Sequence, residues 1–337
     1  MKNQLLLLII AAFAFACGNS TLKKGASVGE NSPATNYKGT ASITQGIATT
    51  TIENLYACDR GRKTDVGEIT STDNKKWVVP AQTNYSNDEF PFAADLFNSC
   101  EGKNYGSAEE ALSHYDNADI VTIDDDGEVY TAYIFADNYF EMYVNGIPVG
   151  KDKVPFTEFN SSVIKFKAKK PFTVAMKLVD WEEHLGVGSE ANRGKPFHSG
   201  DGGMVAVIKD AQNTIVATTN EEWKAQTYYT APIMDLSCVS EEGNFRYSNN
   251  CSTDGGQDGS AFYALHWELP EQWMDTNFDD SNWPNASTYT NQIIGVDNKP
   301  SYTNFTSIFD ASTNDAQFIW STNVVLDNEV LVRYTVK

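Results

Sequence analysis

Basic residues are scarce. The 337-residue chain holds 25 Lys and Arg against 45 Asp and Glu, a formal charge of -20. Docking on a phosphate backbone needs clustered Lys and Arg, so this balance argues against nucleic acid as a partner. Direct attraction to an anionic membrane surface is disfavoured for the same reason. Histidine is rarer still, at four residues, and no Cys-x-x-Cys pair is present, which leaves little for a zinc site. The chain lacks a G-x-S-x-G elbow, a P-loop, a dinucleotide fingerprint and any repeat at a fixed period. No catalytic motif stands out. Apolar content is not lacking: 41% hydrophobic and 12% aromatic residues exclude a wholly disordered chain.

Long apolar runs are limited to one. Lys2 precedes Leu5 to Ala16, a stretch of signal-peptide length that is too short to span a bilayer. Ala14-Phe15-Ala16 satisfies the small-x-small rule for cleavage, and Cys17-Gly18-Asn19-Ser20 follows. The passage resembles a bacterial lipoprotein signal. That resemblance implies a signal peptide over 1–16, a lipid on Cys17 and a place at the cell envelope, outside the cytoplasm, expected at the outer-membrane surface. Ordinary secretion with cleavage at the same bond is the alternative. Parity favours the lipid: with Cys17 modified, Cys58, Cys100, Cys238 and Cys251 form an even set for two disulfides in an oxidising compartment. Sequential pairing closes the shortest loops, and each bridge would contribute roughly 2–4 kcal/mol. Residues 17–50 are rich in Ser, Thr, Gly, Ala and Asn and read as a flexible tether. Contact with the membrane is expected through the lipid alone.

Beyond the tether the signals are those of short strands. Phe140, Met142 and Val144 alternate along Tyr139–Val144, and Asn145-Gly146 supplies the pair a tight hairpin wants. Ser162–Lys167, Phe172–Leu178, Met204–Ile208 and Val330–Val336 alternate in the same way. Ser107-Ala108-Glu109-Glu110 is a capping box and predicts one short helix. The pattern predicts an all-β sandwich with long loops and one or two short helices.

Three passages carry a family resemblance. Ala136-Asp137-Asn138-Tyr139-Phe140-Glu141-Met142-Tyr143-Val144-Asn145-Gly146 is similar to a strand-turn segment of galactose-binding-like modules found beside bacterial glycoside hydrolases. Gly202–Ile208 followed by Thr219-Asn220-Glu221-Glu222-Trp223 resembles their "glycine, strand, turn, TDxxW" passage. Asn277-Phe278-Asp279-Asp280-Ser281-Asn282-Trp283-Pro284-Asn285-Ala286 resembles an "fDDSxWpxA" segment of rhamnosidase and sialate-esterase accessory domains. The resemblance implies a jelly-roll sandwich over 51–235 and a tendency to bind glycans, without naming a ligand. The "fDDSxW" segment here follows the hairpin rather than preceding it. Residues 236–337 are therefore either a second, partial sandwich or the completion of the first.

Two stretches hold candidate chemistry. Asp124, Asp126 and Glu128 form a compact acidic turn that could hold a structural Ca²⁺, although Tyr133 stands where an EF-hand loop would need its Glu. A solvated hairpin turn is the plainer outcome, with Ca²⁺ as the alternative. From Asp180 to Asp201, a Gly-rich stretch collects Asp180, Trp181, Glu182, Glu183, His184, Glu190, Arg193, His198 and Asp201. Trp181 could stack on a sugar face while Asp180, Glu182, Glu183, Asp201 and Arg193 bond its hydroxyls. A pair of these acids could serve glycoside hydrolysis, and His184 with His198 could bind a transition metal. A structured loop packed under Trp181 and pinned by salt bridges is the plainer outcome. The expected function is a surface-tethered, non-catalytic lipoprotein that binds carbohydrate or organises a surface complex with a protein partner. A carbohydrate-active enzyme and a metal-binding surface protein are the alternatives.

Overall fold

The computed structural model describes residues 36–115, 120–192, 195–252, 259–260, 262–314 and 316–337. Two sheets face one another in an all-β sandwich. The first has seven strands in the order Ser42–Gln45, Tyr263–His266, Lys224–Ile233, Asp327–Val336, Phe172–Val179, Tyr139–Val144 and Ile147–Lys151. The second runs Ser287–Tyr289, Phe318–Trp320, Gly203–Lys209, Glu128–Asp137, Ser161–Ala168, Ala94–Asn98 and Lys103–Asn104. Two further short strands, Val121–Thr122 and Ile215–Thr218, flank that path. All pairings in the two sheets are antiparallel except that of Val121–Thr122 with Ser161–Ala168.

The alternating residues meet between the sheets. Phe140, Met142, Val144, Val174, Met176 and Leu178 all lie in the main core. Phe172 of the first sheet touches Tyr130 and Phe166 of the second, with ring centroids at 4.8 and 5.4 Å. Full burial of each such side chain contributes about 1.5–3 kcal/mol. Asn145 and Gly146 turn the hairpin at φ 51° and 82°, the left-handed pair that matches strand twist. The Asn145 carboxamide then accepts from the Thr173 N–H at 2.9 Å, tying the turn to the next strand. Ser107 caps helix Ala108–Ser113 by accepting from the Glu110 N–H at 3.2 Å, while Glu110 Oε2 accepts from Gly106 N–H at 2.8 Å.

Residues 236–337 complete the sandwich. Asp327–Val336 lies between Lys224–Ile233 and Phe172–Val179, in unbroken register from Phe172↔Val336 to Val179↔Glu329. Three helices missed by the sequence reading, Asn291–Ile294, Pro300–Thr303 and Thr306–Phe309, add Ile294, Tyr302, Ile308 and Phe309 to the core. Phe135 packs edge-on against Tyr302 at 5.4 Å.

The tether ends earlier than Thr50. Ser42–Gln45 pairs with Tyr263–His266, and Thr49–Ile52 with Val66–Thr70. The polar composition misled because an edge strand gains through its backbone ladder. Its side chains are also bonded: Ser42 Oγ donates to Asp73 at 2.7 Å, and Thr44 Oγ1 lies 2.8 Å from His266 Nε2. His266 is a buried histidine stacked between Trp77 and Tyr229, and burial pushes its pKa down to about 3. The cysteines pair sequentially, Cys58 with Cys100 and Cys238 with Cys251, at Cα separations of 5.5 and 5.0 Å. Cys17 and the apolar run before it lie outside the described residues.

Candidate functional site

Most of the Asp180–Asp201 stretch builds the end of the sandwich rather than a surface loop. Trp181 is 1% exposed. Its backbone N–H donates to Asn138 Oδ1 at 2.6 Å, its indole N–H to the Asp65 carbonyl at 3.1 Å, and its ring meets Tyr139 edge-on at 5.9 Å. No ring face is open for a sugar, so its reading as a stacking platform is corrected. Glu182 is equally interior. It accepts from the N–H groups of Gly186 and Gly188 and from the Tyr229 hydroxyl, which shapes the turn. Burial still raises its pKa to about 7 against those bonds.

Glu183 accepts from Arg62 Nη1 at 3.0 Å, and the same nitrogen lies 3.1 Å from Glu190. His184 is held by Ser189 Oγ at 3.2 Å and by the Phe197 ring at 4.3 Å. His198 pairs across a short hairpin with Glu190. Among the described residues no group of three or more His, Cys, Asp or Glu is arranged to hold a metal ion. Arg193 lies outside the described residues.

The acidic turn is held by lysines. Asp126 is paired with Lys169 at 2.6 Å, Asp124 accepts from the Lys169 N–H at 2.8 Å, and Lys167 Nζ donates to the Asp125 carbonyl. Lysines sit where a Ca²⁺ would need its charge, and Asp124, Asp126 and Glu128 form no metal cluster.

Three acids of the loop do come together, joined by one that the sequence reading did not select. Asp137 ends its strand where the chain crosses from the second sheet to the first, and Asp180 follows the end of Phe172–Val179. Glu190 sits on the hairpin that folds back over this end, and Asp201 precedes the strand whose Gly203 is opposite Asp137. Asp137 and Asp180 are buried, and each feels the charge of Asp201 and Glu190. Desolvation first, and those like charges second, push both carboxyls well above the usual range. Burial also raises Glu190 to about 7 and Asp201 to about 6, with Arg62 and Lys299 pulling the other way.

Gly200 marks where the acids converge. A β-carbon there would sit 3.1 and 3.2 Å from the two Asp180 oxygens and 3.3 Å from Glu190 Oε1. Asp180 is 4% exposed, and its Oδ1 is buried without a hydrogen-bond donor. A cleft of about 460 Å³ lies at the same end, lined by Arg60, Phe97, Ser99, Phe159, Lys299 and Pro300. Lys299 links the two: its ammonium is 4.6 Å from the Phe159 ring centre, and its charge acts on Asp137 and Asp201. Ser99 Oγ in that cleft is also buried without a partner.

The chain matches no family model, no curated protein and no solved structure. The site therefore rests on its own chemistry. Raised carboxyls can donate as acids and accept as carboxylates, which suits hydroxyl groups better than a bare anion. Asp137 was within reach of the sequence, since it lies in the Ala136–Gly146 passage that carried the resemblance. Only the fold, however, brings it beside Asp180, Glu190 and Asp201.

Proposed function

We propose that the protein is a lipid-tethered, extracytoplasmic sandwich that binds a carbohydrate at the Asp137, Asp180, Glu190 and Asp201 cluster. The observation that carries this reading is Asp180 Oδ1, a buried acceptor without a donor, converging with Glu190 Oε1 on Gly200. An unpaired buried acceptor costs about 1–3 kcal/mol, and a sugar hydroxyl is a donor of the right kind. The galactose-binding-like jelly-roll resemblance of the Ala136–Gly146, Gly202–Trp223 and Asn277–Ala286 passages supports the same ligand class. The two disulfides support an oxidising compartment, and they leave Cys17 as the cysteine without a pairing partner.

The test is a glycan-array screen of the purified protein and its Asp180→Asn variant. Hits on the wild type that weaken in the variant, at unchanged melting temperature, uphold the proposal. Hits indifferent to Asp180→Asn move the site elsewhere, and an array without hits removes the carbohydrate.

A further inference from the structure

The cleft that holds Arg60, Ser99, Phe159 and Lys299 is lined by none of the four clustered acids, and its charge has the opposite sign. Its charged residues are two cations and one carboxylate, Glu158, so it is net positive on a chain of charge -20. Among the described residues, neither Arg60 nor Lys299 lies within ion-pair distance of a carboxylate. Arg62, two residues on, differs: Glu183 and Glu190 take it at 3.0 and 3.1 Å. Lys299 rests over the Phe159 ring at 4.6 Å, which leaves ammonium protons for an acceptor. Ser99 Oγ is buried in the wall of the cleft without a partner. A buried hydroxyl left unsatisfied is rare in a folded chain and points to a group supplied from outside.

Four segments make the walls, and each is fastened. The Cys58–Cys100 bridge joins the Arg60 loop to the turn Ser99–Glu101. Asn98 Oδ1 accepts from the N–H groups of Cys100 and Glu101 at 3.0 and 3.3 Å, which fixes the turn that carries Ser99. The Arg62 N–H donates to the Thr157 carbonyl at 2.8 Å, next to Glu158 and Phe159. Ser161 Oγ donates to the Ser301 carbonyl, and Asn304 Nδ2 donates to the Tyr105 carbonyl at 2.8 Å, which together hold the segment after Lys299. A cleft built this way loses little freedom when a ligand enters.

The volume, about 460 Å³, suits a small molecule of one or two rings. The planar fork of Arg60 matches a carboxylate, and Lys299 adds a second cation. The net charge selects a monoanion. A second negative charge, as on a phosphate monoester, would be set against Glu158 and the acidity of the whole chain. Glu158 and Ser99 are partners for hydroxyl groups, and Phe97 and Pro300 give the cleft an apolar side. One carboxylate beside several hydroxyls on a compact ring is the chemistry of a sugar acid.

We propose that this cleft is a second binding site, which takes a hexuronate with its carboxylate on Arg60 and Lys299 and its ring hydroxyls on Glu158 and Ser99. The site stands on the cleft's own residues and not on the Asp180 cluster, so the two readings fail separately. Titration calorimetry with glucuronate, galacturonate, their methyl esters and inorganic phosphate, on wild type, Arg60→Gln, Lys299→Gln and Asp180→Asn, provides the test. One uronate should bind the wild type, and its methyl ester should bind roughly tenfold more weakly through loss of a charge-assisted pair. Arg60→Gln and Lys299→Gln should each weaken the uronate by a similar factor, and Asp180→Asn should leave it unchanged. Arg60 is exposed with no partner to lose, so its variant should melt as the wild type does and carries the test even if Lys299→Gln, which gives up the Phe159 contact, fails to fold. No binding by either uronate, an ester bound as well as its acid, affinity indifferent to Arg60→Gln, phosphate competing at equal affinity, or loss through Asp180→Asn alone would each overturn the inference.

Discussion

The Tyr229 hydroxyl donates to both oxygens of the buried Glu182 carboxylate, at 3.2 and 3.1 Å. One strand of the first sheet thereby holds the turn at Gly186 and Gly188. Tyr229→Phe removes the donor and keeps the ring. It should lower stability by about 1–3 kcal/mol, read by denaturant melts. A loss below the error of the melt would mean that the clasp is not formed in solution.

Trp181→Ala should cost about 3–5 kcal/mol, because the ring is enclosed by Tyr139, Val66 and Phe156 rather than offered to solvent. A mild loss coupled to weaker glycan binding would restore Trp181 to the ligand.

Stability should rise as pH falls from 8 to about 5. Glu182 and Glu190 carry folded pKa values of about 7, and Asp201 and Asp327 of about 6, all above their unfolded values. Between the unfolded and folded values the native state binds more protons than the unfolded chain, so ΔG of unfolding falls as pH rises. His266, with its folded value lowered to about 3, opposes this below pH 6.5, but it is one buried group against several carboxyls. Glu190→Gln should flatten the slope. A melting temperature that climbs toward pH 8 would contradict the burial of these acids.

Chelation should leave the melting temperature unchanged, since Lys167 and Lys169 already serve the Asp124–Glu128 turn. A drop of several degrees in EDTA would reveal a bound cation.

Cys17→Ala should shift the protein from the membrane fraction to the soluble one, and the denatured wild type should titrate no free thiol. Membrane retention of the cleaved variant, or a reactive thiol, would remove the lipid from the account.

What the sequence disclosed was what is set locally. The Asn145-Gly146 turn, the Ser107 cap and the alternation of Phe140, Met142 and Val144 each depend on a few neighbours, and each is where the pattern put it. Ser42–Gln45 was missed because a polar edge strand carries no apolar period. The helices between Asn291 and Phe309 are four residues each, less than two turns, too short for any periodicity to declare itself. Trp181 illustrates the opposite error. An aromatic among acids and glycines looks like a binding loop along the chain, and only packing against Tyr139 and Asp65 shows which way it points. The acid cluster was half legible for a related reason: Asp180, Glu190 and Asp201 lie near one another in sequence, whereas Asp137 reaches them only across the pairing of Glu128–Asp137 with Gly203–Lys209.

Asp327–Val336 sits in the middle of the seven-stranded sheet, yet it is synthesised after every strand it touches. Until it arrives, Lys224–Ile233 and Phe172–Val179 each present an open edge, and the sheet is two unjoined fragments. A nascent chain in that condition cannot close its sandwich while still being made. The same order of events leaves both edges open to edge-to-edge pairing until Asp327–Val336 has been made.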